Sequence, residues 1–467
     1  MRRLVRLLPF LLVVAPLWIV ELPPIQDLPN HLARVHVELD LLRGGAAFGD
    51  RYELVPLPLP NVAADLLLLP LMAIAPAALA GKVVLSFAIL LLVWAGFRFL
   101  AAEGAPEMGW LALPVAWNFY VHMGFVSYLL SVALGLLALA HHRRHADRWT
   151  WRTRAVFALL ATALYLAHLS SFLIVVAAVQ VRRLRARGWR SGVVPEPSFL
   201  PALLLWALVL WAEPSSSGGV EYPHWSWKIG SLAQVVQAYD PRGGDLVLLG
   251  LLAVGALVAV RRIEVDRLPA VGALLVLYLV LPLRALGGSL VDSRVLPFLG
   301  FFALAAVRGE ARRAKAAGIA LAVLATGWAG YQYLRLGPEI SRMVRGADVL
   351  PRGAAVAPLT EKDRVGRIWV YHHIATWTVS RRDTVTPFLF ADPYQHPLRP
   401  RQERRVWDEM WFLHGPDAVP DLDAVAADWD YAWLTGATPL DAEIEARGPL
   451  VVREGVLRIV RLQNPAE

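Results

Sequence analysis

The chain has 467 residues, 57 % of them apolar, and a mean hydropathy of +0.48. Its net charge is +8, but the Arg residues gather in short segments between apolar runs, a pattern that points away from nucleic acid. There is no cysteine, so disulfides and thiolate metal sites are excluded.

Apolar runs recur at 4–20, 61–77, 83–100, 125–140, 154–168, 171–181, 199–212, 245–260, 268–286, 295–307 and 317–334. By apolar length and flanking charge they predict about eleven membrane spans, that is, a polytopic α-helical membrane protein. Arg2 and Arg3 precede the first run, and Glu-Leu-Pro-Pro follows it with no small-x-small cleavage site. It reads as a retained span with its basic end inside. The Arg-dense segments 141–154, 182–190, 261–267 and 308–315 then all fall on the cytoplasmic side. The Arg-poor segments 101–108 and 213–244 fall on the other. An odd number of spans puts the C-terminus outside. The expected location is a bacterial cytoplasmic membrane, crossed many times.

The further apolar piece 109–120 ends in Trp117-Asn118-Phe119-Tyr120-Val121-His122-Met123-Gly124. A full crossing there would invert every later segment, so it reads as re-entrant, turning near Asn118 and Gly124. From about residue 337 polar residues rise and Pro/Gly breaks return. Segments 368–371, 384–390, 431–434 and 456–462 read as strands, and 401–412 and 421–427 as helices. The chain divides accordingly. Residues 1–335 form a transmembrane module with a first outer loop over 21–60, and 336–467 form an extracytoplasmic α/β domain of about 130 residues.

Asp27, His31 and Arg34 are spaced to share one face of a helix. Pro29 suits its first turn, and Leu32, Val35, Leu39 and Leu42 make an apolar face. The segment therefore reads as an amphipathic helix at the membrane interface. Asp27 is either a catalytic base or a helix cap, with His31 and Arg34 either at a site or in solvent. His168 lies at the turn of a tight hairpin, where an ionisable group needs water, a partner or a ligand. Arg284 and Arg294 flank an outer loop and suit a phosphate clamp, or an ion pair with Asp292. Asn118 and His122, with Tyr120, fall at the turn of the re-entrant piece and are candidates for lining the same cavity. Tyr222-Pro-His-Trp-Ser-Trp-Lys228 offers aromatic faces to a sugar or to an interfacial belt. His372 and His373 lack a clustered carboxylate or Cys and make no metal site by themselves.

The layout, with Gln26-Asp27-Leu28-Pro29-Asn30-His31 in the first outer loop and Pro56-Leu-Pro-Leu-Pro-Asn61 after it, resembles the GT-C superfold of polyprenyl-phosphate-sugar-dependent bacterial glycosyltransferases. Leu28 follows Asp27 where the protein mannosyltransferases carry an Asp-Glu pair. The resemblance implies an inverting transferase that moves a sugar from a polyprenyl-phosphate donor to an envelope acceptor: a glycan, a lipid or a protein. Asp27 would be its general base, with Arg294 and His168 holding the departing phosphate. It implies contact with a lipid bilayer and none with nucleic acid. Some such enzymes use a divalent metal at the first-loop acid, but no clear second carboxylate is present here, so no cofactor is assigned. The competing reading is a non-enzymatic transporter or flippase of an envelope lipid, using the same arginines around a wet cavity.

Overall fold

The apolar runs do become helices, but mostly short ones. The computed structural model describes residues 2–189, 194–212, 219–285, 288–360, 364–387, 389–391, 395–401, 421–437 and 440–463. The expected helix over 401–412 lies almost wholly outside these. The N-terminal part consists of α1 (Arg2–Trp18), α2 (Leu28–Leu42), α3 (Ala63–Met72), α4 (Ala77–Ala102), α5 (Phe119–Met123), α6 (Val126–His145), α7 (Trp151–Ala167) and α8 (Leu169–Arg187). It continues with α9 (Leu200–Ala212), α10 (Trp225–Gln234), α11 (Gly244–Ala259), α12 (Leu268–Val280), α13 (Leu296–Ala305) and α14 (Ala311–Gly346).

Among the described helices only α4 and α6 are long and apolar enough to cross a bilayer. This overturns the expected polytopic, GT-C-like membrane protein of about eleven spans. The multi-pass location, with N-terminus inside and C-terminus outside, falls with it. For most helices the reason is length, while α8 and α14, at 19 and 36 residues, are long enough but not apolar enough. At 1.5 Å per residue, helices of 10–17 residues reach roughly 15–25 Å, short of the ~30 Å hydrocarbon core. Nor are α4 and α6 diagnostic, because most of each is buried against other helices, as in any large core. The piece at 109–120 is not a membrane loop either. It runs as 3₁₀ turns over Pro106–Ala112 and Pro114–Ala116 and then α5, packed against α4 and α14. Helices α9 and α11 also carry apolar side chains outward, Trp211 being 80 % and Leu257 73 % exposed.

Helix α14 is continuous through residues 335 and 336. The helical part also holds the two-stranded pairs β2 (Val260–Ile263) with β5 (Val307–Gly309) and β3 (Arg284–Ala285) with β4 (Gly288–Ser289), and beyond α14 lie β6 (Val356–Thr360), β8 (Tyr431–Thr435), β9 (Leu450–Glu454) and β10 (Leu457–Arg461), in the order β6-β8-β10-β9. β6 and β8 are parallel and the other pairs antiparallel. Both faces of β6, β8 and β10 are largely covered, so these strands alternate between two apolar surfaces, whereas the edge strand β9 is mostly exposed. Val356, Trp433, Leu457 and Ile459 face the main helical core. Ala357, Leu359, Ala432, Leu434 and Val460 face α16 (Leu422–Asp428) and α17 (Asp441–Glu445). The strands expected at 431–434 and 456–462 and the helix at 421–427 are present within a residue or two. Segment 368–371 is instead a turn with a single bridge from Ile368 to Val365, and the described residues of 384–390 contribute only a bridge from Val385 to Ala355.

The parallel pair β6/β8 needs a long crossover, and that crossover is what reaches the site. It carries α15 (Trp377–Arg382), packed on α2, and β7 (Leu398–Pro400). β7 pairs with β1 (Tyr52–Leu54), with Tyr52 opposite Pro400 and Leu54 opposite Leu398. The first loop and the C-terminal segment are thereby stapled together.

Candidate active site

Asp27 ends the loop that enters α2. Its backbone N–H donates to Met123 O at 3.0 Å, and Gln26 N–H donates to His122 O at 3.2 Å. This close pairing requires glycine at 124. Its φ is +78°, and a Cβ there would meet Asp27 N at 3.0 Å and Leu28 N at 2.9 Å. Although Asp27 precedes α2, its side chain makes no capping hydrogen bond. Oδ1 instead accepts from Gln26 Nε2 at 2.9 Å, and Gln26 Oε1 accepts from Trp369 N–H at 3.0 Å. The carboxylate is therefore aimed by a side chain that is itself anchored. Asp27 is only 6 % exposed, and burial pushes its carboxyl up to about 7, against opposing pulls from Gln26 and Arg294.

Asp27, His31, Arg34, His168 and Arg294 line one cavity of about 460 Å³. These side chains come from the α2 entry, the α7–α8 turn and the 3₁₀ turn Ser293–Val295. That last turn is held from below. Tyr128 Oη donates to Arg294 O at 2.7 Å, and Tyr120 Oη donates to Ser293 O. Arg294 Nη1 donates to His168 Nε2 at 2.7 Å. A guanidinium only donates, so Nε2 accepts, while Nδ1 caps α8, accepting from Ser170 N–H at 3.2 Å with Ser170 Oγ at 2.8 Å. The guanidinium also stacks near Phe125 and Tyr128, with centroid distances of 5.7 and 5.9 Å. Asp292 is not its partner. That carboxylate is buried on Lys228 at 2.8 Å.

Other expected site residues lie elsewhere. Arg284 is 62 % exposed at its side chain and pairs with Glu221 at 3.3 Å, outside the cavity lining. Asn118 is an N-cap, with Oδ1 accepting from Tyr120 N–H at 2.9 Å and Nδ2 donating to Val115 O at 2.8 Å, which occupies both ends of its amide. His122 is packed on Trp117 and Tyr239, beside a void of about 10 Å³. Tyr222 and Trp225 are exposed and do not line the cavity.

Arg34 is not solvated, as an interfacial helix would have it. It is fully buried, donating from Nη2 to Asp65 Oδ1 at 2.6 Å, with Nε 3.6 Å from Glu38 Oε1. Both faces of α2 are thus covered, the second by the C-terminal crossover. Phe390 sits at the centre of that cover. Its ring packs edge-on against His31 at 5.4 Å and His373 at 5.1 Å, stacks on His396 at 5.3 Å, and lies 5.9 Å from the Arg34 guanidinium. Phe390 and His396 carry no local spacing signal, and sequence reasoning missed them. The His372-His373 doublet was visible, but nothing local joined it to Asp27. Among the described residues no group of three or more His, Asp or Glu is placed to hold a metal ion. No protein-family model, curated protein or solved structure matches the chain.

Proposed function

We propose that the protein is an inverting glycosyltransferase that moves a sugar from a polyprenyl-phosphate donor to an acceptor hydroxyl. The observation that carries this reading is the shared cavity, with a buried carboxylate of pKa about 7 and an aromatic-flanked arginine opening on the same space. A general base works best when its pKa lies near the operating pH. The volume suits a small ligand head rather than a macromolecule.

In this step the acceptor O–H gives its proton to Asp27 while its oxygen bonds to the anomeric carbon. The bond from that carbon to the phosphate oxygen breaks, and the phosphate leaves with the electron pair. Attack opposite the leaving group inverts the centre. Arg294 donates to the departing phosphate, and His168 holds the guanidinium in place.

Transfer from a labelled polyprenyl-phosphate sugar, measured in detergent beside donor binding, tests the assignment. Asp27→Asn is expected to bind donor and fail to transfer. Arg294→Ala is expected to lose donor affinity by roughly tenfold or more. A fully active Asp27→Asn, or donor affinity unchanged in Arg294→Ala, overturns it. Wild-type protein that binds donor and never consumes it is a carrier instead.

A further inference from the structure

A second cavity, of about 350 Å³, lies at the far end of the helical bundle and plays no part in the proposed transfer. Helices α6 and α8 run from one cavity to the other. Tyr128 and His168 line the first, and Arg143 and Arg182 line the second. At 1.5 Å per residue the two sites are roughly 20 Å apart. Arg-dense stretches far apart in sequence meet here, and with few candidate spans left, membrane sidedness no longer accounts for them.

The arrangement is built on two buried acids. Glu103 is 9 % exposed and accepts from Arg182 Nη2 at 2.5 Å, with Arg267 Nη1 3.4 Å from its other oxygen. Glu196 is 4 % exposed and lies 2.9 Å from Arg154 Nη1 and 3.3 Å from Arg183 Nη1. Each carboxylate therefore orients two guanidinium groups while neutralising only one. Arg143 and Arg185 line the same cavity and are exposed, with no ion pair to any described residue. Asp147 and the half-lining rings of His142 and Trp149 complete the wall. Four arginines thus face three acids across the cavity, and Arg154 and Arg267 add positive charge behind them. Basic residues in the last turn of α6 are explained by its dipole. The dipole does not explain two buried acids that each hold a pair of arginines at the wall of a cavity.

We propose that this cavity binds a phosphate-bearing anion, a diphosphate or phosphate ester, between Arg143, Arg182, Arg183 and Arg185. Arginine forks preset by buried carboxylates match phosphate oxygens in pairs. The group would come either from a soluble compound or from a lipid headgroup.

The test is calorimetric titration of the full chain with inorganic diphosphate at about physiological ionic strength, where weak surface attraction is screened. It is made in the Arg294→Ala background, so that the first cavity does not contribute. Saturable binding is expected, weakened roughly tenfold or more when Arg143→Ala and Arg185→Ala are combined. Both side chains are exposed, so the fold should survive, and a thermal melt checks it. Arg453→Ala, on an exposed strand position, should leave binding unchanged. Absence of saturable binding, or equal affinity in the double variant, overturns the proposal. A parallel sedimentation arm uses phosphatidylcholine vesicles carrying phosphatidic acid. Vesicle binding displaced by diphosphate identifies a headgroup as the source, and diphosphate binding without vesicle binding identifies a soluble ligand.

Discussion

His373 Nε2 stands 3.6 Å from Asp27 Oδ1, and the proton on that nitrogen is decided by Asn30. Phe390 N–H donates to Asn30 Oδ1 at 2.8 Å, so the amide must present Nδ2, a donor, to His373 Nδ1 at 3.1 Å. Burial, with His372 and His31 nearby, holds the His373 pKa well below its usual value, so the ring is neutral. Its one proton then lies on Nε2, facing the carboxylate. Asn30→Leu removes this control. The expected result is a kcat lowered roughly tenfold, with donor affinity unchanged and the acid limb of the pH profile shifted upward. An unchanged pH profile would remove His373 from the site.

Burial of Asp27 makes a prediction about stability as well as activity. Its carboxyl rises from 3.8 to about 7 on folding, so the folded state binds the proton more tightly than the unfolded chain. The contribution of this group to stability is therefore greatest at low pH and declines between about pH 4 and pH 7. The full cost above pH 7 is roughly 4 kcal/mol at most. Asp27→Asn escapes this cost. Its melting temperature should exceed that of wild type at pH 8 and converge with it near pH 4. Transfer by the wild-type protein should rise with pH through about 7, as the base loses its proton. Equal melting temperatures at pH 8 would mean that Asp27 is solvated.

Gly124→Ala should damage the site from behind. A left-handed conformation costs a non-glycine residue roughly 1–3 kcal/mol, and the added Cβ would also press on Asp27 N and Leu28 N. The variant is expected to fold with lower stability and to lose transfer by more than its folded fraction explains. Denaturant unfolding measured beside activity separates the two losses. Wild-type activity per folded molecule would show that the turn does not position Asp27.

Arg34 makes an asymmetric prediction. It lies between two buried carboxyls, and burial together with the Asp65 charge raises the Glu38 carboxyl to about 8. Arg34→Met strands the buried Asp65 charge and should cost about 3–5 kcal/mol. Glu38→Gln replaces a group already protonated at neutral pH and should be nearly silent there. Thermal unfolding of the two variants decides it, and equal losses would contradict a protonated Glu38.

Local features were readable from the chain. Apolar runs marked most of the helices because helix formation and apolar periodicity are properties of neighbouring residues. The breaks at Asn118 and Gly124 were visible for the same reason, as were strands β8 and β10. Asp27, His168 and Arg294 stood out because an ionisable group beside an apolar run needs a partner, and the structure does bring those three to one cavity.

What the chain could not say locally was what each apolar surface faces. Runs of similar hydropathy suit a bilayer or a protein core, and helix length and mutual packing, which leave two spanning candidates among the described residues, were tertiary facts. Burial of Arg34 depended on a crossover that begins more than three hundred residues later. So did the meeting of Asp27 with His373 and the hub at Phe390. Such contacts are fixed by β1–β7 and β6–β8 pairing, which joins distant segments and leaves no periodicity in either one. The amino-acid sequence by itself determined where helices form and which polar groups need partners. The tertiary structure decided who the partners are, because burial and electrostatics act through space and not along the chain.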